Sequence, residues 1–94
     1  MRIVHCRKEP YTHYIGRPSV FGNPFSHKDH TLARFRVSTV DEAVHEFEVY
    51  ARQNGQLLDA IADLPEDAVL GCWCGALSPC HGIVIIKLWK EIHQ

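Results

Sequence analysis

Several features that assign a function at sight are missing from this chain. No run of about eighteen apolar residues is present, so no membrane-crossing helix is expected. The formal net charge is only −1, which gives no strong field toward nucleic acid or a membrane surface. Direct nucleic-acid binding stays open but is not indicated by that charge. The N-terminus has no signal-peptide pattern, and a cytoplasmic protein is expected. In that setting the four cysteines are read as reduced thiols or metal ligands, not as a disulfide framework. A P-loop, a dinucleotide-binding glycine fingerprint, an H-E-x-x-H and a G-x-S-x-G are all absent. So are repeats, linkers and low-complexity segments. The seven histidines are scattered rather than grouped in a tract.

What is present fits one domain of 94 residues with a single core. Residues 2–6 read as a short strand centred on Ile3 and Val4, and residues 14–15 as a second strand ending at Gly16. Gly16, Pro18, Gly22, Asn23 and Pro24 make residues 16–30 a long loop, of a length usually kept for function. Residues 31–37 suit a strand or a turn of helix. Ser38 and Thr39 offer helix caps ahead of an apolar stripe at Val40, Ala43, Val44, Phe47, Tyr50 and Ala51, and Asn54-Gly55 ends that helix. Residues 56–64 form another helix stopped at Pro65, residues 68–74 a buried strand, and residues 79–92 a closing helix that is apolar nearly all round. This order predicts an α/β fold: a small single-domain, Rossmann-like α/β sandwich with a short, mostly parallel sheet flanked by helices. Ligands of open α/β sheets sit at the carboxyl ends of the strands, where Cys6, Gly16 and residues 72–74 all fall.

The densest chemistry lies between residues 70 and 82, where Cys72, Cys74, Cys80, His81 and three glycines crowd together. Three readings compete with a plain one. At the start of the last helix, Cys80-His81-Gly82 would offer backbone N–H groups and the helix dipole to an anion. The same place stabilises a thiolate, so Cys80 or Cys72 could act as a nucleophile with a histidine partner such as His81, His5 or His13. Cys72, Cys74, Cys80 and His81 are also four ligands of the right type for zinc, though C-x-C followed by C-H is an uncommon zinc spacing. The plain reading is a pair of cysteines buried as small apolar residues.

The loop supplies a second cluster. Arg17 can fork onto phosphate or carboxylate. Asn23, held extended by Pro24, can pair with a base edge, and Phe21 or Phe25 can stack on a base. Gly16, Ser19 and Gly22 shape the turn around them. Lys28, Arg34 and Arg36, the His27–His30 pair and the glutamates of the central helix read as solvated surface, and Trp73 and Trp89 as core.

With these residues in view, the chain resembles a family of small bacteriophage and bacterial proteins described only as a domain of unknown function. The shared segments are Tyr14-Ile15-Gly16-Arg17-Pro18-Ser19, Gly22-Asn23-Pro24-Phe25, and Leu70-Gly71-Cys72-Trp73-Cys74 with Pro79-Cys80-His81-Gly82. The resemblance implies that Gly16, Arg17, Gly22, Asn23, Cys72, Cys74, Cys80 and His81 are signature positions, and it brings no reaction with it. Ile83 stands where the family usually has an aspartate, and Val4-His5-Cys6-Arg7 lacks an asparagine expected near the end of the first strand. If the family is catalytic, both changes point to a binder that has lost activity.

The function expected is binding, sequestration or modification of a nucleotide or nucleotide-derived small molecule, in a pocket between the 16–25 loop and the 71–82 turn. Its ligand-binding residues would be Gly16, Arg17, Ser19, Phe21, Gly22, Asn23, Phe25, Cys74, Cys80, His81 and Gly82. The alternatives are an enzyme using Cys80, His81 and Cys72 on a glycosidic or phosphoryl bond, and a zinc-stabilised interaction module. No cofactor is favoured, zinc being the one named. A homodimer that buries Trp89 or Ile86 fits so small a domain with so apolar a last helix.

Overall fold

The computed structural model describes residues 1–26, 35–73 and 80–94. It is a small α/β domain with three helices and a parallel three-stranded sheet among those residues. The strands of that sheet are β1 (Arg2–His5), β2 (His13–Tyr14) and β5 (Val69–Cys72). β5 lies in the middle, with Ile3 opposite Leu70 on one side and His13 opposite Leu70 on the other. Bonds beyond the strand ends continue both ladders, from Cys6 N–H to Cys72 O (2.8 Å) and from Ile15 N–H to Gly71 O (2.9 Å). As the central strand, β5 is buried from Leu70 to Cys72, which accounts for the apolar run ahead of Cys72.

β3 (Phe25–Ser26) and β4 (Phe35–Arg36) form a separate two-stranded parallel pair. β3 lies within the stretch whose composition signalled only loop, because two residues leave no alternation to read, whereas β4 falls in the 31–37 segment and is strand, one of the two options held open there. Residues 27–34, which include the undecided start of the 31–37 segment, lie outside the described residues.

The helices follow their caps. α1 (Val40–Arg52) starts at Thr39, whose hydroxyl accepts from Glu42 N–H at 3.0 Å, with Asp41 and Glu42 in the first turn as the dipole prefers. It buries Ala43, Phe47 and Ala51. α2 (Gly55–Ala62) begins one residue earlier than the sequence suggests. Asn54 is its N-cap as well as the stop for α1, with the side-chain oxygen accepting from Leu57 N–H at 3.1 Å. α3 (Gly82–Ile92) buries Gly82, Val84, Ile85 and Leu88. On the surface, Arg52 pairs with Glu48 at 2.8 Å and Glu91 at 3.0 Å, and Lys87 with Glu48 at 3.0 Å, joining α1 to α3. Such exposed pairs set orientation more than stability.

Phe47, Ile15, Leu57, Ile61, Leu70, Ile85, Leu88 and Cys72 are the largest fully buried side chains and fuse the helical layer to one face of the sheet. Leu70 and Cys72 point into that layer, so alternation turns Gly71 to the opposite face, where the ring of Tyr11 covers it. A Cβ at position 71 would lie 2.6 Å from Tyr11 Cγ. On the helical side Gly82 is equally confined, with Ile3 Cδ1 2.8 Å and Ile15 Cδ1 3.0 Å from where its Cβ would stand. Gly82→Ala is therefore expected to overpack this contact and destabilise the domain by about 1–3 kcal/mol, read as a lower urea midpoint with unchanged m-value.

Candidate functional site

The 16–25 loop is held by its own backbone and two side chains. Ser19 N–H bonds Gly16 O at 3.0 Å and Gly22 N–H bonds Ser19 O at 2.9 Å, giving two successive turns. Gly22 passes so close to Arg17 that a Cβ would meet Arg17 Cα at 3.1 Å. Arg17 Nη1 donates to Asn23 O at 2.8 Å and to Phe25 O at 3.4 Å, closing the loop. Asn23 is buried, with Nδ2 donating to Ala43 O (3.0 Å) and Oδ1 accepting from Phe25 N–H (2.9 Å). Its amide thus fastens the loop to α1. Phe21 sits in the core, and Phe25 stacks on Phe35 at 5.1 Å.

Pinned in this way, the loop forms one wall of a cleft of about 310 Å³, lined by Arg17, Ser19, Gly22 and Asn23. The other wall comes from Tyr50 at the end of α1 and from Asn54 and Gln56 at the start of α2. Ser19 Oγ is shielded from solvent and has no hydrogen-bond partner among the described residues. Pro18, Val20, Pro24 and Leu57 make much of the lining apolar, while the Arg17 guanidinium, three amide side chains (Asn23, Asn54 and Gln56) and the N-terminus of α2 supply polar groups suited to an anionic small molecule with an apolar part. Tyr50, Asn54 and Gln56 were not among the expected site residues. Asn54-Gly55 signals a helix break, but the same pair also caps and begins the next helix.

The cysteine–histidine turn lies deeper. Cys72 and Cys80 are buried, their Sγ atoms 3.3 Å apart. Gly82 N–H donates to Cys80 Sγ at 3.4 Å, and His81 Nδ1 is 4.0 Å from the same sulfur. His81 is buried, its ring edge-on to Phe47 at 4.9 Å, with Nε2 2.8 Å from Ile15 O. A carbonyl only accepts, so Nε2 carries the hydrogen and Nδ1 of the neutral ring is the acceptor. Burial pushes the imidazole below its ordinary range, while the carbonyls of Ile15 and Phe21 pull the other way and lose.

Through His81 and Ile15 the structure joins the turn to the start of the loop, yet Cys72, Cys80, His81 and Gly82 do not line the cleft. Cys74 lies outside the described residues, and among those described no group of three His, Cys, Asp or Glu side chains is placed to hold a metal ion. Ile83, the departure from the expected aspartate, is 58% exposed. Trp73, expected in the core, is 57% exposed instead, because it follows the last residue of β5 and leaves the sheet. Trp89 is half-buried and donates to Leu64 O at 2.8 Å.

Fold and site together define a small α/β domain with a parallel sheet, a pinned loop and a cleft of mixed polar and apolar lining. The chain belongs to the family described as Domain of unknown function (DUF4326), whose model matches residues 2–91. Comparison with curated proteins and with solved structures returned no match. No helix among the described residues is long and apolar enough to cross a membrane.

A histidine held neutral by burial makes stability depend on pH with a definite sign. Its folded pKa is lowered, so the unfolded chain binds the proton first. The contribution is complete above the ordinary imidazole range and is lost as pH falls from about 7 toward 5, with a slope of up to about 1.4 kcal/mol per pH unit for one proton. Urea unfolding at pH 7, 6 and 5 should show this fall, and His81→Gln should flatten it.

Proposed function

We propose that this protein binds a nucleotide or a nucleotide-derived small molecule in the cleft between the 16–25 loop and the α1–α2 junction. The supporting observation is the cleft itself: about 310 Å³, with Arg17, Ser19 and Gln56 on facing walls. Ligand sites for small molecules commonly start at about 300 Å³. Arg17 and the N-terminus of α2 would take the phosphate, and Tyr50 would border the base or sugar. Asn23 serves as wall and fastening. The parallel strands with helices packed on them suit a Rossmann-like arrangement, which is the finer fold we propose. Its setting in this reading is the cytoplasm of a bacterium, infected by phage or not, where it sequesters or alters a signalling or modified nucleotide.

A second reading has one observation in its favour. Cys80 stands at the N-terminus of α3 with Gly82 N–H on its sulfur and the unprotonated Nδ1 of His81 4.0 Å away. Cys80 would then be a nucleophile and His81 its base, acting on a glycosidic or phosphoryl bond. Iodoacetamide at neutral pH separates the readings: preferential labelling of Cys80 favours the enzyme, and slow labelling of Cys80 favours the binder. Stoichiometric zinc in the purified protein would favour the metal-stabilised module over both.

The binding proposal is tested by thermal unfolding against a panel of mono-, di-, cyclic and dinucleotides. At least one should raise Tm in a concentration-dependent way, by the equivalent of about 2.7 kcal/mol at one hundred times its Kd. Gln56 is exposed, so Gln56→Glu should keep the fold while its charge weakens binding about tenfold or more. A panel without any shift overturns the proposal.

A further inference from the structure

The face of the sheet opposite the helices carries an aromatic shelf that the cleft does not use. Tyr11 lies over Gly71, with its ring 6.1 Å from that of Tyr14. The Tyr14 hydroxyl accepts from Trp73 Nε1–H at 2.6 Å, and the Trp73 ring meets His5 edge-on at 5.9 Å. His5, Tyr14 and Trp73 lie at or just beyond the carboxyl ends of β1, β2 and β5, and Tyr11 comes just before β2. Trp73 is 57% exposed and Tyr11 44% exposed, so much of both rings is open to solvent.

Two properties separate this shelf from incidental surface. The first is rigidity: an indole hydrogen-bonded to a phenol across two strands keeps its orientation without being buried. Gly71 makes room for it, since a side chain there would push Tyr11 off the sheet. The second is charge. The Arg7 guanidinium lies 5.7 Å from the centroid of the Trp73 ring, and Lys8 follows on the same turn. Residues 1–17 contain Arg2, Arg7, Lys8 and Arg17 against the single acid Glu9, in a chain whose acids otherwise predominate. Glu9 pairs with Arg2 at 3.7 Å. Aromatic faces beside cations that make no ion pair among the described residues are what successive bases and phosphodiesters of a single strand require.

We infer that Trp73, Tyr11 and Tyr14, with Arg7 and Lys8, form a binding surface for single-stranded nucleic acid, separate from the nucleotide cleft. Bases stack on the rings, and the cations meet the backbone. A small footprint with two cations gives weak, salt-dependent and sequence-tolerant binding.

The test is anisotropy of a fluorescein-labelled fifteen-residue oligothymidylate titrated with the intact protein at low salt, with intrinsic tryptophan emission followed in parallel. Binding should quench tryptophan emission and weaken at least fivefold on raising salt from 50 to 200 mM. Trp73→Ala and Arg7→Ala should each weaken it tenfold or more at unchanged Tm, while Trp73→Phe restores most of the affinity. Gln56→Glu should leave it unchanged, which keeps this surface distinguishable from the cleft. No binding at 50 mM salt overturns the inference, as does binding that Trp73→Ala leaves intact. Sedimentation showing a dimer that Trp73→Ala converts to monomer would assign the shelf to a second copy of the chain and overturn it equally.

Discussion

One hydrogen bond, from the buried His81 ring to the carbonyl of Ile15, ties together the parts of this molecule that carry chemistry. Ile15 ends the β2 edge of the sheet and opens the loop, whereas His81 opens α3. A buried carbonyl with no donor costs about 1–3 kcal/mol, and so does a buried imidazole with no acceptor. Each therefore constrains the other. Because the bond requires Nε2 to be protonated, it also fixes the tautomer, and with it the nitrogen that faces Cys80. The geometry of the loop and the electronic state of the cysteine cluster thus rest on the same contact.

The loop shows how a segment with little regular structure acquires a shape. Arg17 closes it through the carbonyls of Asn23 and Phe25, and Asn23 anchors it to Ala43. Phe21 plugs it into the core. Three side chains of quite different chemistry thus do what a sheet ladder does elsewhere, satisfying backbone groups and removing freedom. The cleft follows from that fastening: α1 and α2 meet at Asn54, and a loop pinned to the side of α1 has to arch over the junction.

The sequence was most legible where periodicity is long. α1, with its Thr39 cap and its stripe through Phe47, is where the pattern puts it, and so are α3 and the buried strand before Cys72. It was least legible where two residues make a strand, as at Phe25–Ser26 and Phe35–Arg36. The loop residues Arg17, Ser19, Gly22 and Asn23 could be picked out by type, since turn formers around a cation and an amide are distinctive. Their partners Tyr50, Asn54 and Gln56 could not, because which helix lies beneath a loop is a tertiary fact. Trp73 shows the same limit in reverse. Tryptophan is read as core by default, and only the point at which β5 stops turns it outward.

The order of strands also has a consequence for how the chain is made. β1 and β2 do not pair with each other; each pairs with β5, which arrives more than fifty residues later. During synthesis the first two strands therefore emerge with nothing to bond to, while α1 and α2 can form from local contacts alone. Sheet formation waits for Val69–Cys72 to thread between two segments already present, a closure of long loops on both sides. The N-terminal aromatic and apolar residues spend that interval exposed. The slow step expected of this topology is therefore the docking of β5, and not the formation of the helices.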